Sequence, residues 1–223
     1  MSIAENLKKI QNDIPNHVCL VAVSKTKPET DIQEAYDAGQ RVFGENKAQE
    51  LQRKAESLPK DIEWHMIGHL QRNKVKYLAP HVSLIHSVDS MRLLVEINKR
   101  AKQNERTIPV LLQCYIAKEE SKFGLDKEDL KAILTSTEFK GLENIEVKGV
   151  MGMATNTDNQ TTVTNEFNSL KSIFDELKLE YFKGQESFTV ISMGMSGDYK
   201  IAIESGSNMV RIGSSIFGAR NYG

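Results

Sequence analysis

The sequence predicts an α/β protein, a single (β/α)8 barrel with an extra helix at its N-terminus. Three observations carry that reading. Eight short apolar, β-branched runs recur along the 223 residues, helical patterns separate most of them, and no linker or low-complexity tract interrupts the series. Strands alternating with helices imply parallel pairing through right-handed crossovers. Eight such units in a chain this long fall at the lower end of the barrel range. An open doubly wound sheet is the competing architecture, but it usually carries fewer strands, and no Gly-x-Gly-x-x-Gly turn follows the first run here. One domain over residues 1–223 is expected.

The elements follow in order. "MSIAENLKKIQNDIP" places Ile3, Leu7, Ile10 and Ile14 at three-to-four spacing, an amphipathic helix without the continuous apolar core of a signal peptide. Strands are predicted at "VCLVAV" (18–23), "RVFGE" (41–45), "EWHMIG" (63–68), "LIHSV" (84–88), "PVLLQCYI" (109–116), "VKGVMGM" (147–153), "FTVISMG" (188–194) and "MVRIGS" (209–214). "PETDIQEAYDAG" reads as a helix with Pro28 in its first turn, Gly39 at its stop and Ile32, Ala35 and Tyr36 on one face. "SMRLLVEINKRAKQ" and "TVTNEFNSLKSIFDELK" are longer and equally periodic.

Composition narrows the partners. With 29 basic against 30 acidic residues, the formal net charge is −1, which gives no electrostatic footprint for nucleic acid or an anionic membrane. No apolar run is long enough to span a bilayer. Cys19 and Cys114 both sit inside apolar runs, where buried reduced thiols and a cytoplasmic location are the expectation.

In such a barrel the chemistry lies at the C-terminal strand ends. The loops after strands seven and eight are the recurrent phosphate site of the architecture. Here Ser192, Gly194, Ser196 and Gly197 flank one turn, and Gly213, Ser214 and Ser215 flank the other. Glycines let backbone N–H groups approach an anion and serines add hydroxyl donors. Either turn alone reads as ordinary caps, while the pair at two adjacent strand ends favours an anion. Strand one ends at Lys25. A lysine across the mouth from a phosphate cradle suggests a Schiff base, with partial desolvation supplying the neutral amine. Snorkelling to solvent is the bland alternative for it. Lys27 competes, but it precedes Pro28 and is expected to turn away from the barrel axis.

Arg211 lies two residues before Gly213 and so faces the same way on strand eight. It must be paired with a carboxylate or bind a ligand. If the anion is pyridoxal phosphate (PLP), an always-charged guanidinium facing the pyridine nitrogen would keep that nitrogen unprotonated and the cofactor a weak electron sink.

"AVSKTKP", "FGEN…QE", "WHMIGHLQRNK" and "SMGMSGDYKIAIESGSNMVRIGSSIFGAR" together resemble the pyridoxal phosphate homeostasis protein family (YggS/PROSC-like), itself similar to the N-terminal barrel domain of alanine racemases. The resemblance covers essentially the whole chain. It implies PLP held as an internal aldimine on Lys25, with Asn46 near the ring. Ser192, Gly213 and Ser214 would take the phosphate, Met195 and Ser196 would line the site, and Arg211 would approach the ring nitrogen. It also implies a role in keeping PLP and amino-acid pools balanced, with no established turnover and with PLP-dependent apoenzymes as conceivable recipients. Two departures are visible: Phe123 in "SKFGL", where a smaller residue is expected, and His69, where proline is often found.

A racemase of the alanine racemase type is the alternative. It needs acid/base groups on both faces of the substrate carbon, and in those enzymes the opposing tyrosine comes from a second domain that this chain is too short to contain. Tyr36, Tyr77 and Tyr181 are expected on helices or outer loops, Tyr222 is terminal, and Tyr115 and Tyr199 belong to no site motif. A class I aldolase using Lys25 on a sugar phosphate is a third reading. Asn46 also reads as the N-cap of "NKAQ". His65 and His69, four apart, invite a metal reading, but no carboxylate or thiol cluster accompanies them. The basic run "QRNKVK" (71–76) reads as a solvated helix face or a delivery surface, His17, His81 and His86 receive no role, and a monomer is expected.

Overall fold

The computed structural model describes residues 2–117 and 124–218, so the expectations about Phe123 and Tyr222 lie outside the described residues. Eight parallel strands close in sequence order into a barrel. They are β1 (Cys19–Val23), β2 (Val42–Glu45), β3 (Glu63–Met66), β4 (Val82–Val88), β5 (Ile108–Gln113), β6 (Ile145–Met151), β7 (Val190–Met195) and β8 (Met209–Ile212). Each coincides with one predicted run. β4 and β6 begin two residues earlier than read. β5 stops at Gln113, leaving buried Cys114 in an isolated bridge with Leu125.

Ten α-helices lie among the described residues. α1 (Ile3–Asp13) precedes the barrel, and α2 (Glu29–Asp37), α3 (Ala48–Ser57), α4 (Val75–Leu78) and α5 (Met91–Gln103) follow β1 to β4. α6 (Lys127–Thr135) and α7 (Thr137–Lys140) follow β5, and α8 (Gln160–Glu180), α9 (Tyr199–Glu204) and α10 (Ser214–Phe217) follow β6 to β8. The N-terminal helix forms as its spacing predicts. Leu7 and Ile10 are buried, and Ser2 and Glu5 close a capping box. Its Asn6 side chain donates to the Ile216 carbonyl at 3.1 Å, tying α1 to α10. Pro28 is the N-cap residue of α2 rather than a first-turn residue. The basic run 71–76 spans a 3-10 turn (Arg72–Lys74) and the start of α4, where Val75 is buried. No described helix is long and apolar enough to cross a membrane.

Strand alternation builds two cores. Outward residues such as Ala22, Phe43, Trp64 and Val110 pack against the helices. Inside the barrel, Val21, Leu84, Leu111, Met151 and Met209 form an apolar plug. One alternation further along the strands the interior turns polar. His65 (β3), His86 (β4), Ser192 (β7) and Arg211 (β8) are all buried there, and the mouth opens beyond them.

Candidate functional site

Val21 and Val23 face the barrel interior, Ser24 faces outward, and Lys25 returns to the mouth, half-buried. The Ser24 N–H extends the ladder to the Gly44 carbonyl at 3.0 Å, and Thr26 sits in the left-handed region at φ 65°. That conformation is costly for a β-branched residue and must be imposed from outside. A buried cluster behind the loop imposes it. The fully buried Lys54 ammonium donates to the Ser24 carbonyl (2.8 Å), to Glu45 Oε1 (2.7 Å) and to Glu50 Oε1 (2.8 Å). The Ser24 hydroxyl donates to Glu45 Oε1 at 2.6 Å, and the Thr26 N–H donates to Glu50 Oε1 at 2.8 Å. Both neighbours of Lys25 are thereby pinned to α3 and β2. Burial pushes the Glu45 carboxyl above the usual carboxylate range against the pull of Lys54, and its Oε2 has no hydrogen-bond partner. Sequence reasoning missed this cluster. Its signal was a lysine in the apolar stripe Ala48, Leu51, Lys54, Ala55 of α3.

A cavity of about 300 Å³ fills the mouth, at the lower bound for a small-molecule site. Seven of the eight residues expected at the site line it: Lys25, Asn46, Met195, Ser196, Arg211, Gly213 and Ser214. Val23, Ile67 and Met153 supply an apolar wall. Lys27 lines it as well, against the expectation that it turns away. The long side chain reaches across, and Nζ donates to the Phe217 carbonyl at 2.7 Å.

The cradle is built where β7 and β8 end. Their register shifts between Ser192 and Met195, which lifts the "MSGD" turn over the mouth. Asp198 Oδ1 accepts from the Met195 N–H at 2.5 Å, and the Asp198 N–H returns to the Met195 carbonyl at 3.1 Å. The Gly213 N–H donates to Ser196 Oγ at 3.3 Å, joining the two turns. A Cβ on Gly213 would sit 3.2 Å from Val23 Cβ and from its carbonyl, so glycine lets β8 pass this close to β1 without the neighbours having to yield. Ser214 and Ser215 open α10, where backbone N–H groups have no preceding turn to donate to. Amine, guanidinium, hydroxyls and open N–H groups converge on one small cavity. This donor set fits a compact phosphorylated ligand that carries a carbonyl group.

Ser192 is the exception among the expected residues. It is fully buried one layer beneath the cavity and does not line it. Its hydroxyl accepts from Arg211 Nη1 at 2.6 Å and meets His86 Nδ1 at 3.0 Å. The phosphate role expected of it is therefore displaced, because strand alternation points it inward below the turn. Arg211 Nη2 donates to the Gly152 carbonyl at 3.1 Å, so its described partners are a hydroxyl and a carbonyl rather than the carboxylate of an ion pair. Burial lowers the Arg211 pKa to about 10, against the attraction of Asp198, and the group stays charged at neutral pH. His86 Nε2 meets His65 Nδ1 at 3.0 Å. Burial pushes His65 down to about 3, and burial, His65 and Arg211 together push His86 well below the ordinary imidazole value, so both rings are neutral. His86, given no role from sequence, is thus central to the site floor.

Asn46 reaches the mouth because Gly68 lies against its backbone, where a Cβ would come within 2.7 Å of the Asn46 carbonyl. It is not the helix cap: Lys47 occupies that position, and no side chain caps α3. His65 and His69 diverge. The first meets His86 inside the barrel, and the second pairs with Asp89 at 3.3 Å outside it.

The chain matches the family described as alanine racemase, N-terminal domain, over residues 1–221. It is 43% identical to the pyridoxal phosphate homeostasis protein of Aquifex aeolicus, over 91% of this chain and 87% of that one. Its identity to the protein of that name in Haemophilus influenzae is 39%, over 100% and 98%. Among solved structures it is similar to PipY of Synechococcus elongatus at 35% identity, over 97% of this chain and 100% of that one. The TM-score is 0.91 without PLP and 0.88 with PLP bound. An alanine racemase from Bartonella henselae shares the fold at TM-score 0.71 and 15% identity, over 98% of this chain and 60% of that chain. The chain belongs to the pyridoxal phosphate homeostasis protein family.

Proposed function

We propose that the protein binds pyridoxal 5'-phosphate at the barrel mouth and serves PLP homeostasis by holding the cofactor covalently through Lys25, without turnover of its own. The observation that carries the reading is the convergence of Lys25, Arg211 and the Ser196–Gly213–Ser214 cradle on one cavity of cofactor size. Lys25 would hold the aldehyde through its amine, Ser196, Gly213 and Ser214 would take the phosphate, Met195 would line the site and Asn46 would lie near the ring. Arg211 would face the ring nitrogen, with Ser192 holding Arg211 in place. When bound, PLP supplies an electrophilic carbon and a conjugated ring, and a fixed cation at the nitrogen damps its electron-sink chemistry.

A holder agrees with the placement of the tyrosines. Among the described residues none lines the cavity: Tyr36 donates to Asp61 and Tyr199 to Asp13, both away from the mouth. A cytoplasmic monomer that passes PLP to apoenzymes completes the proposal. Burial raises the Cys19 and Cys114 thiols to about 11 and 12, which suits unreactive reduced cysteines.

The deciding experiment is a borohydride-trapped peptide map of protein incubated with PLP. A visible absorption band and the cofactor mass on the Lys25 peptide are expected, and label elsewhere with Lys25 unmodified overturns the assignment. Steady Lys25-dependent α-proton exchange of alanine in D2O would establish a racemase-like enzyme instead. Trapping of a ketose phosphate without PLP affinity would establish an aldolase.

A further inference from the structure

The floor of the mouth is a line of hydrogen bonds whose direction can be worked out. The Arg211 guanidinium can only donate, so Ser192 Oγ accepts at 2.6 Å. Among the described residues the other side-chain partner of that hydroxyl is His86 Nδ1 at 3.0 Å. Ser192 is fully buried, so its single hydrogen must find an acceptor or be left unmade at a cost of about 1–3 kcal/mol. If His86 carried its proton on Nδ1, Ser192 Oγ would face two donors and its own hydrogen would be orphaned. The hydroxyl therefore donates to Nδ1, His86 carries its proton on Nε2, and that N–H donates to His65 Nδ1 at 3.0 Å. Every bond points the same way, from Arg211 through Ser192 and His86 to His65. Aligned chains of this kind polarise one another in a low-dielectric interior.

We propose that His86, backed by His65, is a positioning residue for the cofactor site. It turns the Ser192 hydroxyl so that its lone pairs face Arg211, and so fixes the guanidinium as the cation beneath the ligand's ring. The consequence is selectivity. A site with this floor accepts a heteroaromatic ring whose nitrogen presents a lone pair and rejects the same ring with a fixed positive charge there. The proposal rests on the PLP reading for its ligand and on the hydrogen-bond geometry alone for its direction. The strand order supports the assignment: His65, His86, Ser192 and Arg211 come from four different strands, yet all lie in one buried layer between the apolar plug and the mouth. The neutral state of both imidazoles is what the chain requires, since a protonated His86 would have no acceptor orbital for Ser192.

Two measurements decide it. Long-range ¹H–¹⁵N spectra of the protein without cofactor should show the Nε2–H tautomer for both His86 and His65. An Nδ1–H tautomer on His86 reverses the chain and overturns the proposal, whatever the ligand proves to be. Competition between PLP and its N-methyl derivative, in which the ring nitrogen is permanently cationic, reads selectivity. The wild type should prefer PLP by at least roughly tenfold, on the scale of one charge-assisted hydrogen bond. In His86→Leu the preference should collapse toward unity while borohydride still labels Lys25. His86→Asn, whose carbonyl can accept from Ser192, should restore most of it. A His86→Leu protein that discriminates as well as the wild type overturns the proposal. Failure of borohydride to label Lys25 in the wild type would instead sink the PLP reading and leave the tautomer result standing. If His86→Leu does not fold, the wild-type tautomers and the Asn variant still decide.

Discussion

Mild acid should destabilise this protein through its barrel interior before its surface carboxylates protonate. His65 titrates at about 3 in the folded chain because burial disfavours the imidazolium, whereas the unfolded chain restores the ordinary value of about 6.5. A depressed folded pKa means that the unfolded state binds the proton first. The stability contributed is complete above about 6.5 and is lost as pH falls from there toward 3. Between pH 7 and pH 5 the loss is about 2 kcal/mol for His65. His86, pushed below the ordinary imidazole value by burial, His65 and Arg211, works in the same direction. Glu45, whose carboxyl is raised, works the opposite way, and His81, lowered by burial, works the same way. Comparison with His65→Gln removes both from the difference. Urea unfolding at pH 7 and pH 5 measures it: the variant should lose about 2 kcal/mol less than the wild type across the two pH values. Equal losses in the two proteins, or a His65 imidazole that titrates near 6.5 by NMR, would refute the reasoning.

Three further outcomes are expected. Lys54→Met leaves Glu45 buried without its cation and frees the Ser24 carbonyl, so it should cost about 3–5 kcal/mol in denaturant melts and slow borohydride-trappable labelling of Lys25; labelling at the wild-type rate would show that the cluster does not position the loop. Gly149→Ala places a Cβ 1.8 Å from the Val190 carbonyl at φ 153°, a clash that should cost more than about 4 kcal/mol or abolish folding, read as loss of the thermal transition. Lys27→Met releases the Phe217 carbonyl yet leaves Lys25 in place, so PLP should still be trapped on Lys25 while its dissociation quickens several-fold, as measured by transfer to an acceptor apoenzyme.

The fold was legible because barrel strands, buried on both faces, show as short, largely apolar β-branched runs, and because the longer helices between them keep a 3.6-residue period. Lys25, Arg211 and the two turns were legible for the same reason: strand ends and side-chain parity locate a mouth without coordinates. Depth was not. Ser192 and Ser196 belong to one strand-and-turn segment, and nothing in the string says that a register shift between Ser192 and Met195 buries one and lifts the other. His86 was invisible because, beside its neighbour His65 on β3, its other partner Ser192 comes from β7, which only closure of the barrel brings across from β4. Lys27 shows the limit of local rules, since proline restricts the backbone before it but not the reach of four methylenes. Lys54 was readable in principle, a cation where an apolar residue belongs.

The clamp behind Lys25 separates the shape of the loop from its occupancy. The side-chain bonds fixing Ser24 and Thr26 run to Glu45, Glu50 and Lys54, none of which lines the cavity. Emptying the mouth breaks none of them. The proposed holding role gains from such a division. The scaffold bears the strain of Thr26 permanently, so a ligand need not supply binding energy to organise the loop around Lys25.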